Sequence, residues 1–267
     1  MLTAFVDESL RRPHDDSIYA MAGVIIDGSN HDKIRITLED LRRGKSPRLH
    51  WRDENPARQR LIAAALAELP IAGIVTVHIY SGGHHTERAR RRCLERLLIE
   101  IDQAGAAKVV IESRSPEQDQ LDRGLLTGLR KATIVPKSLA VTWQPSISEP
   151  LLWAADAVVS ATTWWIDGVP TFYDLLSPKM STICVDKRGK RKGRTPDSIG
   201  RPGLTSAPQR DWQVPVCLTE RKQASAARRD AEEGGSASED DSDEGDLARH
   251  AAGGRSPRQT RARTLRR

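Results

Sequence analysis

Short apolar blocks separated by polar turns run through residues 1 to about 167, and the pattern stops there. Leu2 to Asp7 reads as a strand. After the loop LRRPHDD, the run Ile18 to Asp27 reads as a second, and the two can form a hairpin. A helix is expected from near Asp32 to Arg43, where Ile34, Ile36, Leu38 and Leu41 fit helical spacing loosely. The short extended piece RLHW precedes NPARQRLIAAALAEL, which has Asn55 placed as N-cap and Pro56 in the first turn of a helix. Ile71 to Tyr80 reads as a strand, SGGHH as a turn, and Thr86 as the cap of TERARRRCLERLLIEIDQAG, with Gly105 as its stop. In that helix Cys93, Leu94, Leu97, Leu98 and Ile101 share helical spacing. A strand from Ala107 to Ser113, a helix QLDRGLLTGLRKA and a strand from Lys137 to Trp143 follow. The closing helix is EPLLWAADAVVSATTWWI, capped near Ser148 with Pro150 just inside. This order predicts an α/β fold, a mixed five-stranded sheet with helices packed on its faces.

Beyond this region the composition changes. Residues 171–218 read as a basic irregular extension that includes DKRGKRKGR, with STICVD and WQVPVCL as strand-like or docking patches. Residues 219–267 carry an acidic block and then an arginine-rich one. They lack the periodic apolar residues needed to offset the entropy of ordering, so a disordered charged tail is expected.

Apolar residues make up 38% of the chain and aromatics 4%, a deficit that falls mostly in this last part. No apolar run approaches the roughly 20 residues that a membrane helix needs. The first residues lead straight into a strand without a signal-peptide pattern, so a cytoplasmic protein with no membrane partner is expected. Three widely spaced cysteines suggest neither a disulfide framework nor a zinc cluster. The net charge of +6 and pI near 9.4 permit attraction to a polyanion, although much of the excess lies in the C-terminal part.

The candidate chemistry lies in three acids placed against apolar elements. Asp7 and Glu8 follow the first apolar run. Strand alternation puts Asp7 with Thr3 and Phe5, and Glu8 with Ala4 and Val6, so one of the two is expected to be the principal ligand. Glu112 ends the run VVI, and Asp156 interrupts a helix between Leu152, Trp153, Val159 and Ser160. An ionised carboxylate on such a face is costly unless it is paired, hydrogen-bonded or on a metal. Plain strand exits, helix caps and arginine partners are the structural alternatives. Acids grouped at one core edge repel, and a divalent cation resolves that repulsion. Mg²⁺ or Mn²⁺ suits such oxygen ligands, and such ions can activate water for phosphodiester hydrolysis.

FVDES, YAMAGVIID, LHWRDE, a strand ending in an acid and PLLWAADAVVSA together resemble the DUF3800 family, over residues 1 to about 167 in order. That family is uncharacterised as a group and looks like part of the ribonuclease H-like superfamily. The resemblance implies a ribonuclease H-like fold with an acid-metal site. Asp7 matches the first-strand Asp, Glu8 and Ser9 the residues after it, and Asp156 the late-helix Asp. Glu112 falls where the fourth strand of such folds usually carries Asp. Leu10 stands in place of a usual Gly, and Trp153 in place of a common Gln. The resemblance also implies a fourth acid from the helix after the third strand, with Glu95 and Glu100 as candidates.

Other signals are weaker. His50 reads equally as a general base or as a surface histidine. The pair His84 and His85 reads as a solvated turn. The basic helix ERARRRCLER reads as an exposed face sooner than a phosphate contact. Trp164 and Trp165 read as core or interface anchors. The reading is therefore a Mg²⁺- or Mn²⁺-dependent nuclease with Asp7, Glu112 and Asp156 as metal ligands and Glu8 assisting. The alternative is a noncatalytic nucleic-acid- or protein-binding module on the same fold. Nucleic acid is the expected partner class, and the oligomeric state is not encoded legibly.

Overall fold

A computed structural model describes residues 1–12, 16–44, 46–81 and 85–185. The basic run DKRGKRKGR, the patch WQVPVCL, the charged tail and His84 lie outside the described residues. The elements in chain order are β1 (Leu2–Arg11), β2 (Asp16–Asp27), α1 (His31–Leu41), α2 (Pro56–Glu68), β3 (Ile71–Ser81) and α3 (Thr86–Gln103). They continue as β4 (Lys108–Glu112), α4 (Pro116–Lys131), β5 (Ala140–Gln144), α5 (Leu151–Ile166), α6 (Tyr173–Leu176) and β6 (Met180–Cys184).

The strands form one mixed sheet in the order β5-β4-β1-β2-β3-β6. β1, β2 and β3 are successive antiparallel neighbours, whereas β4 joins β1, β5 joins β4 and β6 joins β3 in parallel. The sheet has six strands, not the expected five. The addition is β6, drawn from STICVD in the segment read as an irregular extension. Gly73 makes room for it, because a Cβ there would collide with the Met180 side chain. The sheet thus continues past residue 170.

The helices split between two apolar layers. On one face α5 lies over β1 and β2. Phe5, Val24, Val75 and Val110 of the sheet pack there with Trp51, α1, α2, α5 and α6. On the other face α3 crosses β2 and β3, and α4 packs beside it. Ala4, Val6, Met21, Val109 and Ile111 point into that second layer with Leu94, Leu97 and Ile101. The alternation of β1 read from sequence is therefore the division between the two cores.

Several element ends differ from expectation. β1 does not stop at Asp7, because its pairing with β2 continues through Arg11↔Ile18. Asn55 caps α2 as expected, its side chain accepting from Arg58 N at 3.0 Å. Thr86 opens α3 without capping it, since its hydroxyl accepts from Tyr80 OH at 3.2 Å. Gly105, at φ +83°, follows the end of α3 in the left-handed region that suits glycine. α4 begins a turn earlier than the apolar pattern suggests. Ser115 accepts from Gln118 N at 3.3 Å, with Pro116 in the first turn. Ser148 does not cap α5, since its hydroxyl donates to Pro145 O. The Glu149 carboxylate instead accepts from Leu151 N at 3.2 Å, and Arg35 of α1 grips it through two bonds of 3.0 Å each.

Candidate functional site: a carboxylate cleft beside the first strand

Asp7 lies mid-strand in the hairpin but level with the last residue of its parallel neighbour. The β1–β4 pairing ends at Val6↔Ile111, so Asp7 and Glu112 are the next residue on each strand. Asp7 follows the alternation of Phe5, and Glu112 that of Val110, so both face α5. Asp156 descends from α5 between Leu152 and Ser160, one helical turn to either side. The structure thus brings Asp7, Glu112 and Asp156 into one cleft of about 320 Å³.

The loop before α2 closes this cleft. Leu49 and Trp51 are buried in the core, while Arg48, His50 and Arg52 alternate with them along the cleft wall. Trp51 packs edge-on against Phe172, with ring centroids 5.2 Å apart. Its backbone N–H donates to Asp156 Oδ2 at 2.9 Å, and its carbonyl accepts from Gln59 Nε2 at 3.0 Å. The loop and the Asp156 carboxylate therefore orient one another. Ser160 Oγ donates to the other oxygen, Oδ1, at 3.3 Å.

The electrostatics are those of crowded acids. Asp7 is only 8% exposed. Burial first, then a hydrogen bond with Glu112, then the charges of Asp156 and Glu112 hold its carboxyl well above the ordinary carboxylate range. Arg48 pulls it back down in part. A hydrogen bond between two carboxyls requires a proton on one of them. Asp156 is also raised, again by burial first, against the opposing Trp51 N–H bond and the charge of His50. Arg48 Nη1 lies 3.4 Å from Glu112 Oε1 and donates to Ser146 Oγ at 2.9 Å. His50 Nδ1 sits 3.3 Å from Asp53 Oδ2 on its own turn.

Glu8 lines the same cleft, but arginines rather than the other acids engage its carboxylate. Its carboxylate is in direct ion contact with Arg90 and lies 3.9 Å from Arg114. Arg90, only 1% exposed, also grips Asp122 of α4 with bonds of 3.1 and 2.6 Å and donates to Tyr19 OH at 3.2 Å. The basic helix α3 read as an exposed face thus donates one arginine to a buried ion pair. Glu95 and Glu100 do not border the carboxylate cleft, because α3 packs on the opposite layer, and Glu100 pairs with Arg96. Trp165 is buried and stacks on Tyr173 at 4.5 Å, while Trp164 meets Phe172 edge-on. Both anchor α6 to α5.

Sequence reasoning missed Arg48, Ser146, Ser160 and the Trp51 N–H. The readable signal for Arg48 was the polar–apolar alternation of RLHWR, which marks an extended edge with Arg48, His50 and Arg52 on one side. Among the described residues, no set of three or more His, Cys, Asp or Glu side chains stands arranged to hold a metal ion. No described helix is long and apolar enough to cross a membrane.

No protein-family model matches the chain, and no curated protein matches it either.

Proposed function

We propose that this chain is a Mg²⁺- or Mn²⁺-dependent phosphodiester hydrolase acting on nucleic acid, built on a ribonuclease H-like core of the kind the DUF3800 resemblance implies. One observation carries the reading. Asp7, Glu112 and Asp156, from a strand, a strand end and a helix distant in sequence, converge on one cleft, where burial and neighbouring acids raise the proton affinity of Asp7 and Asp156. Acids whose proton affinity is raised by burial and by one another in a cleft are candidates for a functional site. The hairpin β1–β2–β3 with β4 and β5 added beside β1, and α5 across it, supports the fold assignment.

The donor set fits a hard divalent cation, which takes carboxylate oxygens and retains water. Asp7, Glu112 and Asp156 would hold it. When bound, such a cation lowers the pKa of a coordinated water and neutralises charge on a phosphoryl group. The chain's own contributions are distinct from that. The Trp51 N–H and Ser160 fix the direction of Asp156. Arg48 and Arg52, with His50 between them, offer positive charge and hydrogen bonds to the phosphates on either side of the scissile bond, which positions a backbone without reading its sequence. Glu8, at the edge of the same cleft, holds Arg90 and Arg114, a structural task.

The alternative is a noncatalytic nucleic-acid- or protein-binding module. The absence, among the described residues, of three metal-capable side chains already in holding geometry favours it. Cleavage of a mixed panel of labelled DNA and RNA with Mg²⁺ or Mn²⁺ separates the two. Metal-dependent cutting by wild type and none by Asp7→Asn is expected. No cutting, or equal cutting by both, favours the binding module.

A further inference from the structure

Two of the arginine–carboxylate pairs that tie elements of the fold together contrast with the contact made by Arg48. Arg35 holds Glu149 through two bonds of 3.0 Å, and Arg90 holds Asp122 through two bonds of 3.1 and 2.6 Å. Both use the paired-nitrogen fork that makes such contacts strong and directional. Arg48 instead reaches Glu112 with a single nitrogen at 3.4 Å, and its side chain is 40% exposed. Its better bond, at 2.9 Å, goes to the neutral Ser146 hydroxyl. Yet this guanidinium is the cation set directly against Glu112 at the edge of the acid cluster, in the wall of the cleft that Asp7 and Asp156 also line. It therefore does part of a cation's work on the acid cluster while being held weakly.

Its position supplies a second observation. A groove of about 280 Å³ adjoins the carboxylate cleft, running over Pro47, Pro145 and Ile147. Arg48, Glu112, Ser113 and Ser146 line both spaces, so the Arg48–Glu112–Ser146 bridge stands as the wall between them. Ile147 is 60% exposed at the far edge. A guanidinium withdrawn from Glu112 would turn two small spaces into one track leading past the acids.

We propose that Arg48 is the resident, displaceable counter-ion of the Asp7–Glu112–Asp156 cluster: it holds Glu112 in the metal-free protein, and a divalent cation takes its place. Displacement frees the guanidinium toward the mouth of the cleft and opens the passage between the two grooves. The proposal rests on the reading of these acids as a cation site. Arg48 is in this sense a positioning residue, and its effect on cation affinity has a definite sign. A structural arginine strengthens cation binding by keeping the site in shape. A competing one weakens it.

The test is calorimetric titration of Mn²⁺ alone into the full chain, for wild type, Arg48→Gln, Arg48→Ala and Asp7→Asn. The glutamine variant keeps an amide within reach of Ser146 and guards against loss of the loop. Both Arg48 variants should bind Mn²⁺ about tenfold more tightly than wild type, the scale expected when one charge a few ångströms from the site is removed at partial exposure. Unchanged or weaker binding in both overturns the proposal while leaving the cation site standing, provided Asp7→Asn abolishes binding. If wild type binds no Mn²⁺, or Asp7→Asn binds it as well as wild type, the cation-site reading fails first and this proposal with it.

Discussion

Asp7 and Glu8 are adjacent on one strand, and the two sides of that strand treat their carboxylates in opposite ways. Glu8 meets cations. Arg90 and Arg114 approach it, and Arg90 is itself held by the buried Asp122 and by Tyr19. Each charge there has an opposite partner and the polar atoms are largely engaged, as a buried network must be to avoid a large desolvation cost. Asp7 meets other acids. Glu112 and Asp156 stand beside it and raise its proton affinity, and the nearest guanidinium reaches Glu112 with a single weak contact. The first arrangement is complete without a ligand. The second is left with excess negative charge in a cleft open to solvent. The contrast teaches that buried acids need to be judged by what balances them. Position along the strand does not decide their role.

The comparison can be broken most forcefully on its balanced side. Arg90→Met leaves buried Asp122 with only the single 3.4 Å contact of Arg114, and should destabilise the protein by about 3 kcal/mol in chemical denaturation. A loss under about 1 kcal/mol would mean that this network is not a structural keystone.

The crowded side should respond in the other direction. Asp7→Asn removes a mutually repelling charge while its amide can still hydrogen-bond Glu112. The metal-free variant should be more stable than wild type by about 1–2 kcal/mol at neutral pH, or a few degrees in melting temperature. The pH dependence follows from the raised proton affinity of Asp7. The folded state holds this proton more tightly than the unfolded chain, so the associated stability is complete below the ordinary carboxylate pKa. It is lost as pH rises through the higher folded value. Melting temperatures of metal-free wild type should therefore fall with rising pH over that window, and the slope should flatten in Asp7→Asn. Equal slopes would show that the crowding carries no energetic weight.

The smallest effect is expected at Glu8. In Glu8→Gln, Arg90 keeps both bonds to Asp122 and Tyr19, so the cost should be about 1 kcal/mol with the Mn²⁺ affinity unchanged. A loss of Mn²⁺ binding there would erase the distinction between the two sides.

Much of this architecture was legible because it rests on local patterns. Alternation in β1 correctly separated Asp7 from Glu8, and Asn55 with Pro56 marked the start of α2. Glu112 and Asp156 stood out as charges interrupting apolar runs. What was not legible depends on contacts between distant segments. Arg90 looks like one more base on a charged helix until α4 places Asp122 beneath it. Arg48 enters the cleft only because Trp51 buries itself and bonds Asp156. The sixth strand is five residues of modest hydrophobicity, and its pairing depends on a glycine in β3 far upstream. β1 appeared to end at its acids because they break the apolar run, although the β2 read from Ile18 was long enough to pair as far as Arg11.

The most direct test is Mn²⁺ titration of wild type beside Asp7→Asn and Glu8→Gln, two single-charge removals one residue apart. The account predicts that wild type and Glu8→Gln bind Mn²⁺ with similar affinity and that Asp7→Asn does not bind it measurably. Equal binding by all three proteins, or loss in Glu8→Gln alone, would contradict the assignment of the cation site to the Asp7 side of the strand.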